Sequence, residues 1–173
     1  WHLSYFSGKS RAYLRYKDIP FVEKPIDFFT FQYKAKKHTD AAVMPVIVDP
    51  NGQWLQDTSV IIDTLEQRFP KAPVNPSTPV QKFASYLMEL WGDEWWLVIA
   101  MFTRWRHPEN YPLFLNDAGK GLMPWMPRFI QDKFGAKAAN QMRGHLPGIG
   151  VGDHSHALLD SWTRAAVDLL DAH

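Results

Sequence analysis

The sequence predicts an α/β N-terminal domain followed by an all-helical C-terminal domain, and three stretches carry that expectation. Residues 43–65 (VMPVIVDPNGQWLQDTSVIIDTL) pass from strand-like to turn to helical chemistry. Residues 69–79 place four prolines within eleven positions, which stops helices and stiffens a connection. Beyond Pro79, apolar residues recur at helical spacing through much of the remaining chain.

Taken in order, Trp1-His2-Leu3 reads as the end of a first strand. Residues 10–17 (SRAYLRYK) read as a helix, and Asp18-Ile19-Pro20 leads into an extended run over 21–26. Strand, helix and strand in this space fit a βαβ unit. Residues 30–39 (TFQYKAKKHT) are basic and lack an apolar period. Pro45-Val46-Ile47-Val48 reads as a strand, with Pro45 in its first position because proline cannot donate to a ladder. Asp49-Pro50-Asn51-Gly52 supplies the turn: proline fixes φ, and Asn-Gly accepts positive φ. Gln53-Trp54-Leu55 is the returning strand. Asp57, Thr58 and Ser59 offer capping side chains, and Val60, Ile61, Leu65 and Phe69 follow at helical spacing, so a helix is expected over 57–68. The N-terminus of such a helix presents unpaired N–H groups that suit a ligand carboxylate, and Asp57 beside it suits a ligand ammonium group.

The domain boundary falls near residue 75. Pro79 suits the first turn of a helix capped by Thr78 or Ser77, and a long helix is expected over 80–106. Its apolar positions, among them Phe83, Leu87, Leu90, Trp91, Trp95, Ile99 and Phe102, cover more than one face and predict burial on several sides. Asp93 and Glu94 stand among tryptophans and would pair with Arg104 or Arg106, or reach a ligand. Residues 107–123, rich in Pro, Asn and Gly, read as loop, and 126–143 as a helix. Residues 144–152 (GHLPGIGVG) read as a glycine-rich loop. They are not a dinucleotide loop, because Asp153 stands where a third glycine is required. Asp153 or Ser155 caps a final helix over 156–172. Asp153, His154 and His156 are metal-ligand types, but neither cysteine nor a second cluster supports them, and no metal site is expected.

Met44-Pro45-Val46, a hairpin, and Asp57-Thr58 opening a helix together resemble the glutathione-binding half of the glutathione S-transferases. That resemblance implies a thioredoxin-like domain over 1–75 and a helical domain over 76–173. It places Pro45 at the family's cis-proline. Met44 would offer its main chain to the cysteinyl part of glutathione, with Asp57 and Thr58 gripping the γ-glutamyl end and Lys37 or Lys34 meeting the glycine carboxylate. The stretch from Ser4 to Leu14 is similar to the family's active-site turn and first helix, and without a gap Ser4 takes the place of the catalytic hydroxyl. Another register gives that place to Ser7, with Tyr5 matching the catalytic tyrosine of other members. Arg11 is the supporting basic residue. Trp91 and Trp95 would border the second-substrate pocket, although core or dimer packing explains tryptophans equally well. The expected activity is conjugation of the glutathione thiolate to a small hydrophobic electrophile, with glutathione as co-substrate and no covalently bound cofactor. Non-catalytic binding of glutathione or hydrophobic ligands, or an interaction adaptor on the same scaffold, is the alternative. A homodimer is expected. Start at Trp1 and the lack of the family's further C-terminal helix imply a chain shortened at both ends, or a divergent branch.

Composition sets limits. The chain has no cysteine, which excludes disulfides, thiolate metal sites and cysteine nucleophiles. A net charge of +1 with mixed signs argues against nucleic-acid or membrane-surface partners. No apolar run approaches membrane-spanning length. A cytoplasmic location is expected.

Overall fold

The computed structural model describes residues 2–39 and 43–172. Helix α1 (Tyr5–Tyr16) starts well before the expected residue 10, because the Ser4 hydroxyl accepts from Ser7 N and caps it. Trp1 lies outside the described residues, while His2 and Leu3 form a turn whose N–H groups donate to Asp117 at 3.3 and 3.2 Å. The expected first strand is therefore not formed at His2 and Leu3. Residues 21–26 are not a strand either: Pro25 removes a ladder donor, and no strand edge stands at Leu3 to pair with. The βαβ expectation is corrected accordingly. A short helix α2 (Phe28–Tyr33), capped by Asp27, and a 3₁₀ turn (Ala35–Lys37) follow.

Strands β1 (Val46–Val48) and β2 (Trp54–Gln56) form an antiparallel hairpin with Ile47 opposite Leu55. Gly52 takes φ 81° in its turn, and Asp49 Oδ1 accepts from Asn51 N and Gln53 N, both at 2.9 Å. The Met44–Pro45 peptide bond is cis. Helix α3 (Thr58–Arg68) follows Asp57, whose Oδ1 accepts from Ser59 N at 2.9 Å. Tyr13 and Leu14 of α1, Leu55 of β2, and Ile61 and Leu65 of α3 form the first core. Glu66 of α3 ties this core together, accepting from Tyr13, Lys17 and Val74 N.

After the proline-rich connection, Thr78 caps α4 (Pro79–Leu90). A π-helical turn (Trp91–Trp95) joins it to α5 (Trp96–Arg106). The expected long helix is thus present but interrupted, and its burial is one-sided. No residue of α4 is buried, and Val80, Phe83, Leu87 and Leu90 are all exposed. Ile99 and Phe102 of α5 join Val151 and Leu159 in a second core.

Helix α6 (Asn110–Leu122) occupies the segment expected to be loop. Gly119 is a packing residue, since a Cβ there would stand 2.6 Å from Gln131 O, and so is Gly135 on the helix that follows, where a Cβ would stand 2.8 Å from Leu115 O. Small side chains let α6 and α7 (Arg128–Gly144) approach backbone to backbone, around Phe114, Ala118 and Ala139. Helix α8 (His156–Asp171) closes the chain. Ser155 does not cap it with its side chain. Its hydroxyl accepts from Gly152 N and lies 2.9 Å from the carbonyls of Gly150 and Gly152. Among the described residues, no helix is long and apolar enough to cross a membrane, and no group of three or more metal-ligand side chains gathers.

Candidate functional site

Three chain segments converge on a cleft of about 590 Å³. The start of α1 contributes Ser4 and Phe6. The approach to β1 contributes Val43, Met44 and Pro45, and the start of α3 contributes Asp57, Thr58 and Ser59. Tyr86, Glu89, Leu90, Asp93 and Glu94, from α4 and the π-helical turn, form the facing wall.

Local chemistry explains the first wall. Ser4 adopts extended backbone (φ −75°, ψ 122°) and its Oγ accepts from Ser7 N at 3.4 Å, leaving its own proton free for an acceptor in the cleft. Asp57 sits at φ 72°, a conformation Asp tolerates better than most residues. Its Oδ1 accepts from Ser59 N and, at 3.4 Å, from Val60 N. Oδ2 makes no bond to the described residues. Two helix N-termini, those of α1 and α3, therefore meet one cleft, and each favours negative charge near it.

The two walls are joined by a polar network. Lys9 Nζ on α1 lies 2.8 Å from Glu89 and 2.6 Å from Asp93, and Ser59 donates to Glu89 at 2.8 Å. Burial alone would lower the Lys9 pKa, but its hydrogen bonds to Asp93 and Glu89 hold it above the ordinary lysine value. Burial opposes ionisation of Glu89 as well, yet the bonds from Lys9 and Ser59 keep it below the ordinary carboxyl value. The Tyr5 hydroxyl donates to Gly92 O at 2.8 Å, and burial followed by the nearby Asp93 charge raises its pKa.

The structure brings Ser4, Met44, Pro45, Asp57 and Thr58 into one cleft and leaves other expected residues outside it. Ser7 lies within the first turn of α1 and does not line the cleft. Lys37 and Lys34 are exposed and do not line it either. Arg11 forms a two-pronged pair with Glu23, at 2.8 and 2.7 Å, which ties α1 to the extended segment. Trp91 and Trp95 do not line the cleft: Trp91 packs on Trp96 and Trp95 meets Trp162 edge-on. Asp93 takes Lys9 rather than Arg104 or Arg106 as its partner, and Arg104 donates to Leu3 O. Sequence reading missed Phe6, Tyr86, Glu89 and Ser59. Glu89 and Asp93 stand at i and i+4 of one helical run, so like charges share a face and call for a cation, a signal legible without coordinates.

Residues 1–76 match the family model described as glutathione S-transferase, N-terminal domain. No curated protein and no solved structure gives a significant match.

Proposed function

From the premise that residues 1–76 are a glutathione S-transferase N-terminal domain of thioredoxin-like fold, we propose that the protein conjugates the thiolate of glutathione to a small hydrophobic electrophile. The observation that carries this reading is the convergence of Ser4 with Met44, Pro45 and the Asp57-Thr58 start of α3 on one cleft. Glutathione is the co-substrate. Asp57 Oδ2 takes its ammonium group, the N–H groups at the start of α3 take the γ-glutamyl carboxylate, and Met44 meets the cysteinyl unit through its main chain. The Ser4 hydroxyl donates to the thiolate. That bond, with the field at the start of α1, favours the ionised sulfur at neutral pH. The free proton on Ser4 supports it over Tyr5, whose proton is already held by Gly92 O.

A non-catalytic ligand-binding role is the second reading. The facing wall favours it: Glu89, Asp93 and Glu94 place three carboxyl groups at the cleft, and negative charge there opposes formation of a thiolate. Turnover of 1-chloro-2,4-dinitrobenzene with glutathione separates the two. The enzyme reading expects turnover that falls about a hundredfold in Ser4→Ala, within the range for general acid–base and donor groups. Calorimetric binding of glutathione without turnover favours the binder, and no binding at all removes both.

A homodimer belongs to the same proposal, supported by the exposed face of Val80, Phe83, Leu87 and Leu90 on α4. Sedimentation should give a dimer that Phe83→Asp/Leu87→Asp converts to monomer. A monomeric wild type would rule the dimer out.

A further inference from the structure

Helix α2 and the 3₁₀ turn after it expose most of the side chains they carry. Asp27 and Ala35 anchor the segment, the first nearly buried and the second fully. Phe28, Phe29 and Tyr33 stand 38%, 48% and 66% exposed. Phe29 and Tyr33 are four residues apart and so share one helical face, while Phe28 meets Phe29 edge-on at 5.6 Å. Lys34, Lys36 and Lys37 follow, all exposed, and none forms an ion pair or side-chain hydrogen bond with the described residues. The backbone from Phe29 to Lys37, wound in helical turns, spans about 15 Å, so rings and ammonium groups lie close together on the surface.

Charge narrows the partner. The net charge of +1 argues against a membrane surface only where the signs are mixed, and here they are not. Residues 28–38 hold three lysines and His38 and no carboxylate, so the remaining chain carries a slight negative excess. The lysines alone would suit an acidic protein. The exposed rings beside them favour a lipid surface, which takes rings at headgroup depth and ammonium groups on anionic lipid without a shaped counterpart. We propose that this patch docks the protein on an anionic lipid bilayer. Phe28, Phe29 and Tyr33 enter the headgroup region, and Lys34, Lys36 and Lys37 meet the negative surface potential. The inference does not rest on the transferase reading, since no residue of the patch lines the cleft at Ser4.

The test is co-sedimentation of the whole chain with phosphatidylcholine vesicles, with and without about 30% phosphatidylserine. The proposal expects the serine-containing vesicles to bind about tenfold tighter or more, and salt at about 0.5 M to release the protein. Lys34→Gln/Lys36→Gln/Lys37→Gln should abolish the preference, and Phe29→Ser/Tyr33→Ser should weaken binding about tenfold. Both variants change exposed side chains, and circular dichroism checks that they keep their helices. No binding to the anionic vesicles, equal binding to the two kinds, or binding that either variant leaves unchanged would overturn the proposal. Binding to soluble polyglutamate but not to vesicles would assign the patch to an acidic protein instead and overturn it too. The comparison of vesicles in the wild type stands by itself if a variant does not fold.

Discussion

Asp57 caps α3 with Oδ1 at a backbone φ of 72°, and the proposed ligand contact uses Oδ2. Alanine removes the cap, the tolerance of positive φ and the charge together, whereas asparagine removes only the charge. We expect Asp57→Asn to unfold within about 0.5 kcal/mol of wild type in urea and Asp57→Ala to lose about 1–2 kcal/mol. Glutathione affinity should fall about tenfold in both. Equal stability of the two variants would show that the cap contributes nothing. Ser4 has the same double character, as cap of α1 and as proposed thiolate donor, but the sequence predicts that helix from residue 10 and so misses the cap. What surrounds the two residues was not legible either: Glu89, which reaches Ser59 and Lys9, lies 30 and 80 residues away along the chain.

Helix α6 shows how composition misleads at the scale of an element, and its packing on α7 supplies the reason. Pro112, Gly119 and Gly121 make 107–123 read as loop, yet Pro112 sits in the first turn of α6, where a missing N–H is harmless. Gly119 faces Gln131 across a gap that no Cβ fits. The cost of glycine in a helix, about 1 kcal/mol each, is offset by close packing that only the paired helix supplies. Gly119→Ala should therefore destabilise the chain by about 1–3 kcal/mol. Gly8→Ala, in α1 with open space around it, should stabilise by about 0.5–1 kcal/mol. Opposite signs in thermal midpoint are the expected result, and a shared sign would refute the packing account of Gly119. The hairpin and α3 were legible for the converse reason, since turn and cap residues act locally.

The two halves of the molecule meet through the first helix. Lys9 reaches Glu89 and Asp93, Tyr5 reaches Gly92, and Arg104 and Asp117 hold the turn at Leu3. Lys9→Met leaves two partly buried carboxylates without their cation, and should lower unfolding free energy by about 1–3 kcal/mol at neutral pH. Glu89 lies below its ordinary 4.5 in the folded chain, so its contribution is present above that value and lost as pH falls through the folded pKa. Lys9 lies above its ordinary 10.5, so its contribution is present below that value and lost as pH rises through the folded pKa. The gap in thermal midpoint between wild type and Lys9→Met should thus be full from about pH 5 to 10 and shrink outside that window. A gap that does not vary with pH would assign the loss to the lysine stem rather than its charge.

By itself, the sequence determined the order of domains, the hairpin with its turn, the caps at Asp57 and Thr78, and the proline-rich connection. Each follows from φ preferences and hydrogen bonds that span a few residues. Tertiary structure alone decided that 107–123 is a helix, that 21–26 is not a strand, that α4 leaves its apolar face exposed, and that Lys9 joins the two walls of the cleft. These depend on which surfaces meet, and a surface has no partner until the chain has folded around it.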